Sequence, residues 1–188
     1  MTDVTAEVRA HLRNHFAGAG ISAEPDVATV TFVGVPPVEV LRFGPDPNGV
    51  IHCVSVGGSR HGWEHRPLAG EGDPTEVVVS LRGPWVGAGL ARSVAVLAAA
   101  PAVEGLMPAP DALVDLGQPV WKTAPFTAFL LGDSKIESFA GVRFLQAIPV
   151  TANEAAWVRL KGADAMRQAW QEDGVDVLDP ARRASAPG

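Results

Sequence analysis

A predicted strand that runs directly into a predicted helix constrains this chain more than any other feature. The run from Val142 to Val150 is rich in Val, Ile and Phe and too short for a typical helix, so it predicts a buried strand. Thr151 and Glu154 follow with the spacing of a capping box, in which the threonine oxygen accepts a helix N–H and the glutamate reaches back to the cap. This feature carries packing information and no catalytic group.

The rest of the chain predicts further short strands and amphipathic helices. Val8, Leu12 and Phe16 lie four residues apart and predict an amino-terminal helix with one apolar stripe. Strands are predicted at residues 27–32, 38–43, 50–56, 76–82, 120–122 and 126–131. Further helices are predicted from Gly83-Pro84 to just before Pro101, and over residues 152–161 and 163–172. Gly87-Ala-Gly89 lacks the third glycine of a dinucleotide-binding loop, so these small residues predict close packing instead.

The length of 188 residues and the 47% hydrophobic content predict one globular domain. Residues after about Asp179 show no apolar periodicity and read as a disordered tail. We therefore expect a single domain over residues 1–178 and a disordered segment over residues 179–188.

Charge and cysteine content exclude several classes of protein. The net charge of −6 disfavours binding to nucleic acid or to an anionic membrane and is compatible with a basic partner. A single cysteine, Cys53, cannot form an internal disulfide, which favours a reducing compartment. The first residues lack a secretory signal, and no apolar run reaches the roughly 18 residues that span a bilayer. We expect a cytoplasmic protein.

The polar connection from Gly57 to Pro74 is the longest in the chain and is the first place to look for a binding site. Loops of this length in a compact domain are often functional. Trp63 favours contact with a partner, because exposed tryptophans commonly anchor interfaces. A plain surface loop remains the alternative interpretation.

A histidine group around this loop raises the possibility of a metal site. Zinc could be held by His52, Cys53, His61 and His65. Cys53 follows His52 on a predicted strand and should point to the opposite face, which leaves three ligands of undefined geometry. We therefore predict no metal and no cofactor, and keep a metal-binding protein or small enzyme built on His52, His61 and His65 as an alternative.

Sequence signatures of catalysis are absent. The chain contains no Gly-x-Ser-x-Gly elbow, His-Glu-x-x-His motif, Walker loop or Cys-x-x-Cys pair. Ser59 and His61 are close in sequence, but a serine nucleophile needs a base placed in space and an oxyanion site, and two loop residues show neither. We predict no catalytic residues.

Several segments form an ordered pattern over roughly residues 27 to 175. They are His52-Cys-Val-Ser-Val-Gly-Gly-Ser59, Glu76-Val-Val-Val-Ser-Leu81, Leu90-Ala-Arg-Ser-Val94, Gly117-Gln-Pro-Val120, Val142-Arg-Phe-Leu-Gln146, Pro149-Val-Thr-Ala-Asn-Glu154 and Lys161-Gly-Ala163. Their order and spacing resemble the suppressor of fused domain. The resemblance implies an α+β fold, a largely antiparallel sheet covered by helices, that works by binding another protein.

What the resemblance implies for the partner depends on the branch of the family. Animal members restrain a transcription factor, whereas bacterial members look like immunity proteins that neutralise polymorphic toxins. The animal pattern has an aspartate in partner contact after Gly-x-Ser, where this chain has Arg60, and the animal protein's second domain has no counterpart in this sequence. These differences favour the bacterial, immunity-type interpretation.

The sequence thus predicts a non-enzymatic protein-binding domain, of immunity type, with a basic toxin domain as its partner. The residues predicted to bind that partner are Gly57, Ser59, Arg60, His61 and Trp63. A third interpretation is a scaffold that docks a peptide by adding a strand to a sheet edge.

Overall fold

Seven strands and four helices make up the part of the chain that the structure describes. The computed structural model describes residues 4–60, 73–83 and 87–185. The helices are α1 (Val4–Gly18), α2 (Leu90–Glu104), α3 (Ala152–Lys161) and α4 (Ala163–Glu172). The strands are β1 (Asp26–Phe32), β2 (Val35–Phe43), β3 (Val50–Val56), β4 (Thr75–Arg82), β5 (Leu113–Asp115), β6 (Phe126–Asp133) and β7 (Arg143–Thr151). None of these helices is long and apolar enough to cross a membrane.

The strands form one sheet in the order β1-β2-β3-β4-β7-β6-β5. Every neighbouring pair is antiparallel except β4 and β7, which run parallel. A parallel pair requires a crossover connection, and the chain between β4 and β7 supplies one that contains α2. The predicted α+β fold with a largely antiparallel sheet is therefore confirmed.

The two faces of the sheet are covered differently. Side chains alternate between faces along a strand, so in β3 Ile51 and Cys53 pack with α2, whereas Val54 and Val56 pack with α1 on the opposite face. The face that α1 covers also carries α3 and α4, which pack in a separate apolar cluster over β6 and the end of β7. Two helical layers therefore share one face, with a gap between them.

The capping box between β7 and α3 forms as predicted. The backbone N–H of Glu154 donates to Thr151 Oγ1 over 3.2 Å, and the backbone N–H of Thr151 donates to Glu154 Oε1 over 3.0 Å. Both ends of the motif are thus satisfied without a loop between strand and helix.

The segment predicted to be disordered from residue 179 is packed up to Ser185. Arg182 is 7% exposed, and its guanidinium donates to both carboxylate oxygens of Glu154 over 3.0 Å each. It also donates to the carbonyl oxygen of Pro149 over 2.8 Å and lies between the rings of Phe126 and Trp170. The prediction of disorder was wrong for these residues. A buried ion pair holds the segment in place, and this kind of contact produces no periodic apolar pattern in the sequence.

Helix α2 begins later and ends later than the sequence predicts. Residues 84–86, on which the predicted start partly falls, lie outside the described residues, and the helix begins at Leu90 after Gly89. Pro101 lies inside the helix, so the predicted end before it was wrong. The helix ends at Glu104, and the cap residue Gly105 has a left-handed backbone (φ 68°); the N–H of Gly105 donates to the carbonyl oxygen of Pro101, and the N–H of Leu106 donates to that of Ala100. A cap close to Pro101 satisfies these last carbonyls.

The segment 120–122 was predicted to be a strand and is an irregular turn. Trp121 is buried there against Phe126, and the backbone N–H of Lys122 donates to the carbonyl oxygen of Ala88 over 2.8 Å. Thr123 then adopts a left-handed backbone, with φ of 70°. The apolar residues that suggested a strand belong instead to the core under α2, and the short strand β5 was not predicted.

Gly87 is required by its contact with this tryptophan, and we expect Gly87→Ala to destabilise the fold. A Cβ atom at residue 87 would lie 2.4 Å from Trp121 Cδ1, so the indole would have to move. Overpacking of this kind costs about 1–3 kcal/mol. Thermal and urea unfolding measure the loss. Gly18→Ala is the matched control, because a Cβ there meets nothing within 4 Å; equal stability of the two variants would contradict the prediction.

Candidate functional site

The chain leaves β3 through a tight turn that contains three of the residues predicted to bind a partner. Gly57 has φ of 122°, a backbone conformation that side chains other than glycine rarely adopt, and residues Gly58–Arg60 form one 3-10 turn. Gly57 and Ser59 are both buried, and Ser59 is 0% exposed. Their part in any binding site is therefore to shape the turn.

Glu76 on β4 holds this turn from within the protein. Its carboxylate is fully buried and accepts hydrogen bonds from the N–H groups of Gly57 (2.8 Å) and Ser59 (3.0 Å), and from the Ser59 hydroxyl (2.7 Å). The hydroxyl of Ser55 donates to the other carboxylate oxygen. Burial raises the pKa of Glu76, and these hydrogen bonds oppose that rise. No sequence signal marked this residue, because it begins an ordinary strand pattern.

Gly58 fits the turn against α2. A Cβ atom at this position would lie 2.8 Å from the carbonyl oxygen of Ala98 and 3.0 Å from its Cβ. The turn and helix can approach this closely only when residue 58 is glycine. The Gly-Gly-Ser sequence is thus explained by packing and by the buried carboxylate.

Arg60 is the predicted binding residue that the turn brings towards solvent. It is half-buried, and its guanidinium donates to the carbonyl oxygen of Pro37 over 3.2 Å and to Thr5 Oγ1 over 3.3 Å. The side chain therefore bridges β2 and the start of α1. His61 and Trp63, the other two predicted binding residues, lie outside the described residues, as does His65.

Two exposed apolar side chains lie at the end of the sheet where this turn is found. The connection between β1 and β2 lies at the same end of the sheet, because Glu39 pairs with Val56 and the residues before Glu39 extend past the end of β3. Val33 in that connection is fully exposed, and Val103 on the α2 segment that follows Ala98 is 56% exposed. We call this end of the sheet, with the turn 57–60, Val33 and Val103, the turn surface. It combines a fixed backbone with accessible apolar groups.

His52 takes part in a polar row away from the turn surface. Its Nδ1 lies 2.8 Å from the Ser80 hydroxyl, and its Nε2 lies 3.4 Å from Asp46 Oδ2. Gln146 Nε2 donates to the same serine over 3.3 Å, so the row crosses three adjacent strands. Burial lowers the pKa of His52 and so favours its neutral imidazole, although Asp46 opposes this effect. Sequence reasoning linked His52 to a metal and missed this row.

The structure gives no support to zinc binding by His52 and Cys53 together. Cys53 is buried on the α2 side of the sheet, where burial raises the pKa of its thiol to about 11, whereas His52 faces the other side. Within residues 4–60, 73–83 and 87–185, no three His, Cys, Asp or Glu side chains are placed to hold a metal ion. A site that used His61 and His65 would involve residues outside these ranges.

Comparisons with protein families and with solved structures identify the same family. Residues 34–183 match the family model described as suppressor of fused protein. A suppressor of fused homologue from Neisseria gonorrhoeae has a similar structure, with a TM-score of 0.73, 19% identity, and coverage of 98% of this chain and 97% of that one. Comparison with curated proteins finds no match.

Two further solved structures share the fold. A chain of the Sufu–Fu complex aligns with a TM-score of 0.70 and 14% identity over 96% of this chain and 91% of that one. Drosophila Suppressor of Fused aligns with a TM-score of 0.67 and 14% identity over 95% of this chain. The alignment spans 50% of the Drosophila chain, so only half of that protein has a counterpart in the sequence.

Proposed function

The chain belongs to the suppressor of fused family, and from that premise we propose that it works by binding another protein through the turn surface. One relative of the same fold has been solved in complex with Fu, which supports protein binding as the working mode. The observation that carries the proposal is the turn after β3, where a buried carboxylate holds Gly57 and Ser59 at the end of the sheet that also carries exposed Val33. A surface that is rigid before binding loses little conformational entropy on association.

We further propose that the partner is a toxin and that binding neutralises it in the cytoplasm, without chemistry on the toxin. The net charge of −6 suits a basic partner such as a nuclease domain, because opposite charges raise the association rate. On the turn surface, Arg60 has its guanidinium engaged by Pro37 and Thr5, so it supports the shape of the surface.

The test begins with the protein encoded by the neighbouring gene, because an immunity protein is expected beside its toxin. We expect expression of that protein alone to arrest cell growth and co-expression with this chain to restore it. Purified proteins should bind in isothermal titration calorimetry, with an association rate that falls as salt is raised. Growth arrest that co-expression leaves unrelieved would refute the immunity role, whereas binding without rescue would retain only the protein-binding role.

The turn surface is tested separately with two matched variants. Val33→Asp places a charge in the proposed interface, and we expect it to weaken binding by about tenfold or more, because an uncompensated buried charge is costly. Leu160→Asp makes the same change on α3, where the side chain is 72% exposed, and should bind as the wild type does. Equal affinities of the two variants would place the interface elsewhere.

Docking of a peptide by strand addition is a second candidate, which one observation favours. Among the described strands β1 lies at the edge of the sheet and pairs only with β2, and within residues 26–32 the single charged side chain is Asp26. Charges and prolines usually protect such edges. A partner that reduces to a short linear motif, and that protects β1 amides from hydrogen exchange, would favour this candidate over the turn surface.

A further inference from the structure

A deep groove separates the two helical layers that share one face of the sheet. α1 forms one wall through His15 and Phe16, and the segment after α4 forms the other through Val177 and Leu178. The groove has a volume of about 710 Å³. Sites for small molecules have volumes of roughly 300–1,000 Å³, so the groove is of the size that holds one such ligand.

The floor of the groove is polar where a sheet centre is normally apolar. His52, Ser80 and Gln146 lie on the three neighbouring strands β3, β4 and β7, and Asp46 closes the row at the end of the floor. The row separates the apolar cluster under α1 from the one under α3 and α4. Polar residues in the middle of a sheet weaken its apolar packing. Sequences depart from the usual apolar pattern in this way mainly at functional sites.

The floor cannot bind a peptide by strand addition. β3, β4 and β7 each pair with a neighbour on both sides, so their backbone hydrogen bonds are already made. A ligand in the groove must therefore be recognised through side chains. Ile148 on the floor and Val177 on one wall are partly exposed and suit an apolar body, whereas Phe16 is buried in the opposite wall.

The charges around the groove favour an anion. Asp46 accepts from the backbone N–H groups of Asn48 (2.8 Å) and Val50 (3.0 Å), and Asp133 pairs with Arg143 over 2.8 Å. Asp133 is thus paired with a cation, and both oxygens of Asp46 are already engaged, Oδ1 by these N–H groups and Oδ2 by His52. Lys135 is exposed at the groove and makes no ion pair with any residue in the described ranges. An incoming anion would find a free ammonium there, whereas a cation would find no free carboxylate among these lining residues.

We propose that this groove is a binding site for a small apolar molecule that carries one anionic group, with the anion at Lys135 and the apolar body against Ile148 and Val177. The polar row would orient the ligand through the Ser80 hydroxyl and the Gln146 amide, and Asp46 fixes the His52 ring behind them. This site is distinct from the turn surface and does not depend on a protein partner.

The test uses 8-anilinonaphthalene-1-sulfonate, a fluorescent apolar anion, with the full chain. We expect saturable binding at one site. Decanoate should displace the probe, whereas decyltrimethylammonium, which has the same chain length and the opposite charge, should not. Lys135→Glu should weaken binding by about tenfold, because it replaces an attraction by a repulsion. The matched control Lys122→Glu changes another exposed lysine away from the groove and should leave affinity unchanged.

A steric variant locates the binding site independently of charge. Val177→Trp fills the groove from its wall and should abolish saturable binding, with thermal unfolding to confirm that the variant folds. Non-saturable fluorescence, equal displacement by the cationic and anionic detergents, or wild-type affinity in Lys135→Glu would each overturn the proposal. If Val177→Trp does not fold, Lys135→Glu against Lys122→Glu still decides it.

Discussion

Replacing Arg182 by methionine is expected to remove about 3–5 kcal/mol of stability, a large part of the total for a domain of this size. The substitution leaves the Glu154 carboxylate, which is 0% exposed, without the one cation that pairs with it among the described residues. The indole N–H of Trp170 (2.6 Å) and the backbone N–H of Ser185 (3.2 Å) still donate to that carboxylate, but neither carries charge. Breaking a buried pair costs far more than breaking an exposed one, because the remaining charge cannot be hydrated.

The adjacent residue supplies the control for this prediction. Arg183 is exposed and makes no ion pair with a described residue, so Arg183→Met removes the same charge from the same segment. Urea unfolding of the two variants should differ by at least about 2 kcal/mol, since surface charges contribute at most about 1 kcal/mol. Nearly equal midpoints and slopes would show that residues 179–185 are not anchored as the structure describes.

The ion pair between Glu154 and Arg182 also predicts how the stability of the protein depends on pH. Burial alone would raise the pKa of Glu154, but hydrogen bonds from Arg182, from the Thr151 N–H and from Trp170 hold it below its ordinary value of 4.5. A carboxyl group with a lowered pKa contributes stability above its unfolded value and loses it as the pH falls through the folded value. The wild type should therefore lose stability below pH 4.5 more steeply than Arg182→Met does.

The sequence predicted the capping box of Thr151 and Glu154 but not the ion pair between Glu154 and Arg182, and the reason is the distance between the partners along the chain. Thr151 and Glu154 are three residues apart, and local geometry alone decides their hydrogen bonds. Arg182 reaches the same carboxylate from 28 residues away, and its segment carries no periodic pattern. Periodicity identified α1, β3, α3 and α4, whereas the start of α2 and the turn at 120–122 depend on packing around Trp121.

In the candidate site, too, contacts between residues that are distant in sequence could not be predicted. The Gly57-Gly-Ser59 sequence drew attention to this segment through the resemblance to the suppressor of fused domain, but the shape of its turn was not predicted. Glu76 looked like the first residue of a strand, and only the pairing of β3 with β4 brings it under that turn. The groove likewise depends on three strands and two helical layers that are distant in sequence. Sites built from such contacts leave no local pattern to recognise.

Glu76→Ala is the second substitution for which we expect a large effect, a loss of about 3 kcal/mol. The N–H groups of Gly57 and Ser59 would lose their acceptor in a site without solvent, and each buried donor left unpaired costs about 1–3 kcal/mol. The turn can partly relax, so the total loss of stability is smaller than the sum of the costs of the unpaired groups. Chemical unfolding measures the change, and Glu137→Ala, which truncates an exposed glutamate, should remain within about 0.5 kcal/mol of the wild type.

Glu76→Gln separates the shape of this side chain from its charge. The glutamine oxygen can accept the hydrogen bonds that Oε1 accepts from Gly57 and Ser59, and its NH₂ group can donate to Ser55 Oγ, so we expect most of the stability to be retained. Because burial raises the pKa of Glu76, ionisation works against the fold, and the wild type should lose stability as the pH rises above 4.5 through the folded pKa. The Gln variant has no such titration, so its stability relative to the wild type should rise across that interval. A stability difference that stays constant with pH would mean that Glu76 titrates alike in the folded and unfolded chain, so that its hydrogen bonds fully offset the effect of its burial.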